Sequence, residues 1–132
     1  WALPAWLLRR ADRQRLEQVI TILLDNAISY TPAGKEVRLK MYKKEGSRRI
    51  SAGYFRTVIE VADTGKGVPD EIKQRIFDRF YRGDASRKDK KHFGLGLSIA
   101  KELTEMHGGT LAVHDNPGGG SRFVVTLTLQ QA

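Results

Sequence analysis

The hydrophobic periodicity of the chain changes at Pro32, and this change restricts its fold more than any other feature. Before Pro32, apolar residues recur at helical spacing after a candidate N-cap at Asp12. After it, the apolar residues of segment 37–41 alternate with charged ones, as in a half-buried strand. The helical set is Leu16, Val19, Ile20, Leu23, Leu24, Ala27 and Ile28. Pro32 disfavours helical geometry at the preceding residue, so we expect the helix to end near residue 30.

The rest of the chain continues this mixture of periodicities. The patterns predict strands at 55–62, 111–114 and 122–129, a short helix at 70–77 and a helix at 95–106. We expect Leu95, Ile99, Leu103 and Met106 to share one face of the last helix. Consecutive strands favour hairpins, so we predict an α+β fold: a two-layer α/β sandwich whose mixed, mostly antiparallel sheet carries its helices on one face.

Composition narrows the class of protein. The 132 residues are 40% hydrophobic and 29% charged, which suits one globular domain over residues 1–132. No cysteine is present, which excludes disulfides and Cys-ligated zinc. The chain opens on Trp1 without a methionine, so we interpret it as a piece of a longer protein in which residues 1–11 are a truncated lead-in.

The net charge of +8 is concentrated in two segments. Residues 35–56 contain eight basic and two acidic residues, which fits a solvated strand face. Residues 79–92 contain six basic and two acidic residues and few apolar ones, which fits a loop. A basic surface attracts phosphate, but outside the aromatic residues of 76–82 the basic residues lack the interleaved aromatics of a nucleic-acid platform. We therefore expect no nucleic-acid partner.

Four segments contain residues that could bind a ligand or a metal ion. In the first helix, Asn26 and Tyr30 share a face, and asparagine is a poor helix former. The Asn26 side chain either satisfies a neighbouring loop or supplies an oxygen to Mg²⁺, with Tyr30 against a planar ligand. At a strand end, Asp63 precedes Gly65 and Gly67. These residues either form a turn or let a flat ligand approach while the carboxylate accepts a hydrogen bond from an adenine amine.

The other two segments surround the second basic run. Gly94 directly precedes the predicted helix 95–106, and Gly96 lies in its first turn. At a helix start, exposed N–H groups and the helix dipole favour phosphate, but a plain junction between a loop and a helix has the same sequence pattern. Neither a P-loop nor a dinucleotide fingerprint is present. Residues 76–82 hold three aromatics and end on Arg82, whose side chain is long enough to contact a phosphate.

In this order the four segments resemble the catalytic ATP-binding domain of bacterial sensor histidine kinases, over residues 12–129. The helix with Asn26 is similar to that family's N box, 63–67 to its first glycine box, 76–82 to its phenylalanine box and 94–97 to its second glycine box. The resemblance implies the Bergerat ATP-binding fold, with residues 83–93 as a lid over ATP. It implies phosphoryl transfer from ATP to a histidine on a separate dimerisation domain, a response regulator as partner, and a cytoplasmic location. The fragment alone is not expected to autophosphorylate.

The resemblance also implies a nucleotide site. Asp63 would contact adenine, Asn26 would bind Mg²⁺, and glycines would line the base and the phosphates. The implied nucleotide-binding set is Asn26, Tyr30, Asp63, Gly65, Gly67, Val68, Phe80, Arg82, Gly94, Leu95, Gly96, Leu97 and Ser121.

Two positions depart from the family pattern. Ile22 stands where the family usually has asparagine, and Ser29 where it often has lysine. Related ATPases of the same fold hydrolyse ATP with a glutamate at the Ile22 position, so hydrolysis by that route is not expected here. A degenerate, non-catalytic nucleotide-binding module of the same fold remains the main alternative.

Overall fold

A computed structural model describes residues 13–44, 54–79 and 96–130. The elements in chain order are α1 (Arg13–Tyr30), β1 (Val37–Lys44), β2 (Tyr54–Asp63), α2 (Asp70–Lys73), α3 (Gly96–Met106), β3 (Thr110–Asp115) and β4 (Ser121–Gln130). The predicted strands and the first and last helices are therefore confirmed within one or two residues at most boundaries.

The four strands form one sheet in the order β1-β2-β4-β3. Each pairing is antiparallel: Val37 lies opposite Asp63, Ala62 opposite Arg122, and Asp115 opposite Ser121. Because successive side chains point to opposite faces, this register places one set of apolar residues together on the inner face. The described sheet is thus antiparallel throughout, within the predicted mostly antiparallel class.

Both long helices pack against the inner face of the sheet. Helix α1 contributes Leu16, Ile20 and Leu23 to the core, and each is at most 2% exposed. The sheet contributes Ile59, Val61, Leu111, Val113, Phe123, Val125 and Leu127. The outcome is the predicted α+β sandwich, in which one layer is helical and the other is the sheet.

Three details of the predicted pattern are wrong. Ile28 is 63% exposed although it follows the apolar spacing of α1. In α3 the buried residues are Ala100 and Thr104, and Leu103 is half-buried against the core, whereas Ile99 and Met106 are exposed. The centre of the buried face therefore lies one position further along than predicted. The short helix ends at Lys73 rather than residue 77 and continues as turns.

The described residues contain no helix that is long and apolar enough to cross a membrane. The cationic side chains of β1 lie on exposed positions, as predicted for a solvated strand face. One of them, Arg38, pairs with the exposed Glu36 at 2.6 Å, an ion pair of little energetic weight in water.

Candidate nucleotide site

Asp63 ends β2 with a carboxylate that is buried and bonded from three directions. The residue is only 8% exposed. Its Oδ1 accepts hydrogen bonds from the Gly65 N–H at 2.9 Å and, at a longer 3.4 Å, from the Ser121 N–H. Its Oδ2 accepts one from the Ser121 hydroxyl at 2.8 Å. An ionised carboxylate has about four acceptor positions, so one remains for a ligand that donates an N–H.

The turn after Asp63 packs tightly against the end of α1. A Cβ on Gly65 would lie 3.1 Å from Asp63 Oδ1 and 3.5 Å from the Tyr30 carbonyl oxygen. A side chain there would press on the carboxylate that is available to a ligand. The close packing also places the C-terminal end of α1 beside the candidate base-binding residue.

Gly67 and Gly120 pack against one another where the same turn meets the β3–β4 connection. Gly67 has φ +79°, and a Cβ there would lie 3.2 Å from the Gly120 carbonyl oxygen. Gly120 has φ +97°, and its Cβ would overlap the Asp63 carbonyl oxygen at 1.9 Å. No residue with a Cβ fits at position 120 without moving the backbone of Asp63.

Thr64 fastens the turn to the start of β1. Its N–H donates to the Glu36 carbonyl oxygen at 3.0 Å, and its hydroxyl accepts from the Glu36 N–H at 2.8 Å. The backbone on both sides of Asp63 is therefore fixed by neighbouring strands.

Gly96 opens α3, an eleven-residue helix, beside the middle of α1. Among the described residues, a Cβ on Gly96 would meet one neighbour within 4 Å, Ile22 Cγ2 at 3.4 Å, and the φ of Gly96 lies outside the left-handed region. The first N–H groups of a helix lack partners within the helix and attract anions. Ile22 itself is half-buried and packs against the core.

These contacts place the turn at Gly65 and the start of α3 at two different positions along α1. Ile22 lies near the start of α3, and Tyr30 lies near the turn at Gly65. Eight residues of helix separate them, or about 12 Å. Asn26 lies between these two positions in sequence and is half-buried.

The structure positions the remaining predicted residues unequally. Val68 and Leu97 are half-buried and pack against the hydrophobic core. Phe80, Arg82, Gly94, Leu95 and the predicted lid 83–93 lie outside the described residues.

Among the described residues, Asn26 is the one predicted metal ligand. The described residues include no cluster of three His, Cys, Asp or Glu side chains suited to a metal. Asn26 offers one amide oxygen, and Mg²⁺ commonly binds through one or two protein oxygens together with substrate phosphates and water. This donor set fits a metal that arrives with a nucleotide.

Sequence analysis missed the contribution of the β3–β4 connection. Asn116 donates its side-chain N–H to the Asp63 carbonyl oxygen at 2.9 Å, across 53 positions of sequence. Lys73 in α2 pairs with Asp115 at 2.7 Å. The only signal was the three consecutive glycines 118–120, more than a hairpin turn needs.

A sequence model of the histidine kinase-, DNA gyrase B- and HSP90-like ATPases matches residues 11–131. The chain belongs to this family. It is 36% identical over 128 residues to the sensor histidine kinase TmoS of Ectopseudomonas mendocina, covering 96% of this chain and 12% of TmoS. It is 37% identical over 121 residues to the sensor histidine kinase YclK of Bacillus subtilis, covering 90% of this chain and 24% of YclK. The chain thus spans less than a quarter of the length of either relative.

Solved structures of histidine kinases share the fold. The mycobacterial sensor histidine kinase MprB superposes with a TM-score of 0.71 at 29% identity, over 92% of this chain and 77% of that one. Full-length ShkA, solved in complex with AMPPNP, gives a TM-score of 0.73 at 32% identity, over 98% of this chain and 24% of that one. This chain is therefore a histidine kinase ATPase domain in fold and family, and its relatives are larger kinases that contain this domain.

Proposed function

We propose that the chain binds ATP and ADP with the adenine amino group on the Asp63 carboxylate. The environment of this carboxylate is the main support for the proposal: it is buried, held by hydrogen bonds from Gly65 and Ser121, and retains one acceptor position. A charged acceptor held in this way favours a base that donates an N–H over one that presents a carbonyl.

The phosphates would extend from this end of α1 toward the start of α3. The N–H groups around Gly96 favour anions, and Asn26 lies between the two ends in sequence. We propose Asn26 as the protein ligand of Mg²⁺. Asn26 would hold the metal beside the phosphates, where it would supply positive charge that offsets theirs. Tyr30, Gly65, Gly67, Val68, Leu97 and Ser121 complete the proposed site within the described residues, with Phe80, Arg82, Gly94 and Leu95 beyond them.

In the parent protein we propose that this domain supplies the γ-phosphate of ATP to a histidine on a separate dimerisation domain. The bond between the γ-phosphorus and the bridging oxygen breaks, the imidazole nitrogen takes the phosphoryl group and loses its proton, and ADP leaves. The domain contributes position and electrostatics to this step. A response regulator would then receive the phosphoryl group, in the cytoplasm where ATP is available.

A non-catalytic nucleotide-binding module is the second candidate. It is favoured by Ile22, which places an apolar side chain against the start of α3 where the family usually has an amide. Ser29 likewise offers no positive charge to a phosphate.

Calorimetric titration tests the nucleotide proposal. We expect ADP to bind more tightly than inosine diphosphate, which carries a carbonyl in place of the amino group. Asp63→Asn should weaken ADP binding about 10- to 100-fold, the equivalent of a lost charge-assisted hydrogen bond. The variant should also prefer ADP over inosine diphosphate less strongly than the unmodified protein does. The control is Glu105→Gln, an exposed acid in the last turn of α3, which should change neither affinity.

If ADP and ATP give no heat and no thermal shift with the unmodified protein, the nucleotide proposal is wrong. Labelled ATP with a separately produced histidine-containing domain of the parent protein distinguishes kinase from binding module. Transfer of label to the histidine supports the kinase, and ADP binding without transfer supports the module. Duplex DNA at moderate salt should show no retention in a filter assay.

A further inference from the structure

The pairing between β2 and β4 stops one residue before the proposed site. The ladder runs from Tyr54 opposite Gln130 to Ala62 opposite Arg122. At the next position, the Ser121 N–H points to the Asp63 side chain rather than to its main chain. A buried main-chain carbonyl needs a hydrogen-bond donor, so another group must replace the missing ladder partner.

Asn116 supplies that donor. Its side-chain N–H reaches the Asp63 carbonyl oxygen at 2.9 Å. Asn116 is itself fixed, because its N–H donates to the Gly120 carbonyl oxygen at 3.0 Å and its own carbonyl accepts from the Gly119 N–H at 2.9 Å. Asn116 therefore links a closed turn to the residue that bears the base-binding carboxylate.

Asp115, the residue before Asn116, makes a second contact with segment 63–73, at the end of that segment formed by α2. Lys73 donates to Asp115 at 2.7 Å and also contacts Asp70, and its side chain is only 18% exposed. These hydrogen bonds raise the pKa of Lys73, and the one from Lys73 lowers the pKa of Asp70. Both shifts favour the charged forms of Lys73 and Asp70.

Resting on the proposed function, we infer that Asn116 and Asp115 are positioning residues that hold both ends of segment 63–73 against the β3–β4 turn. Asn116 fixes the backbone of Asp63, while Asp115 holds α2 through Lys73. Asn116 has the greater effect, because the exposed Asp115 carboxylate leaves its ion pair open to screening by solvent, whereas the Asn116 bond is partly buried. Neither residue needs to touch the nucleotide.

The test uses Asn116→Ala, alone and combined with Asp63→Asn, with ADP titrations and amide exchange as readouts. We expect Asn116→Ala to weaken ADP about 3- to 10-fold, the equivalent of one neutral hydrogen bond, and to lower the preference for ADP over inosine diphosphate. In the Asp63→Asn background, Asn116→Ala should weaken ADP binding less than twofold, because Asn116 acts on ADP only by positioning the Asp63 carboxylate. The control is Thr128→Ala, an exposed residue at the far end of β4.

Amide exchange makes the inference independent of nucleotide binding. In Asn116→Ala the Gly65 and Ser121 amides, which donate to Asp63, should exchange faster, while amides in the middle of β4 stay protected. Unchanged exchange at both sites overturns the inference even if no nucleotide binds. An equal loss of ADP affinity in both backgrounds also overturns it. The milder Asp115→Asn, which preserves Asn116, should accelerate exchange in α2 and should still fold if Asn116→Ala does not.

Discussion

Gly67 and Gly120, which lie close to the end of β2, differ in their surroundings from Gly96 at the start of α3. Gly67 and Gly120 have left-handed backbone angles and lie against main-chain atoms that cannot move independently. Gly96 has an ordinary backbone angle and room for a Cβ beside Ile22. The fold itself requires glycine in the first region, whereas nothing in the described packing requires it in the second.

This difference separates two reasons for a glycine motif. Substitutions in the first region should reduce the stability of the fold together with binding, because the turn and the carboxylate share one backbone. Substitutions at Gly96 should affect binding with little effect on folding.

Gly120→Ala should have the largest effect. Its Cβ would lie 1.9 Å from the Asp63 carbonyl oxygen, and its φ of +97° is unfavourable for alanine. Combined strain and overpacking should lower the free energy of unfolding by about 2–6 kcal/mol, measured by urea denaturation. Gly118→Ala is the control, since Gly118 shares the turn and a positive φ, but its Cβ would have no neighbour within 4 Å in the part of the chain that the structure describes. Equal losses for the two variants would show that the clash is relieved.

Gly67→Ala should have an intermediate effect. Its φ of +79° is strained for alanine, and its Cβ would lie 3.2 Å from the Gly120 carbonyl oxygen. We expect a loss of about 1–3 kcal/mol in denaturation together with weaker ADP binding. Gly34→Ala is the control: Gly34 has φ +86° and no described neighbour within 4 Å of a Cβ, so this variant should be less stable but should bind ADP normally. Unchanged ADP affinity in Gly67→Ala would separate this turn from the site.

Ile22→Asn tests the apolar contact beside Gly96. The amide replaces a half-buried, core-packed side chain, so we expect a loss of about 1–3 kcal/mol in stability. It also adds an oxygen near the proposed phosphates, so the Mg²⁺ dependence of ATP affinity should rise while adenosine affinity does not change. Ile22→Val keeps the contact apolar and should leave the Mg²⁺ dependence unchanged. A less stable Ile22→Asn with unaltered Mg²⁺ dependence would remove this face of α1 from the metal site.

Gly96→Ala should have the smallest effect on folding. Its Cβ has ordinary contact with Ile22, and alanine favours helix, so stability should stay the same or rise by up to about 1 kcal/mol. ATP affinity should nevertheless fall while adenosine affinity does not, because only the phosphates approach the helix start. If ATP binds Gly96→Ala as tightly as the unmodified protein, the phosphates lie elsewhere.

Local patterns predicted the elements well because periodicity reflects which face of each element is buried. They placed the break at Pro32 and the strand that ends at Asp63 within a residue. They were wrong for Ile28, which is exposed, since the spacing of apolar residues cannot show where a neighbouring element ends. The α2 helix was overextended for a similar reason, because Phe77 packs edge-to-face on Phe123 from a turn rather than from a helix.

Local sequence patterns were sufficient to predict the order of helices and strands, the mostly antiparallel α+β class and the candidate residues Asn26, Asp63 and Gly96, because each depends on neighbours within a few positions. How these residues are held depends instead on tertiary contacts. The Asn116 bond to Asp63 spans 53 positions and the Ser121 bond spans 58, so no local pattern contains them. Such contacts form only when the β2–β4 pairing brings distant segments together, and that pairing depends on burial of the inner face of the whole sheet.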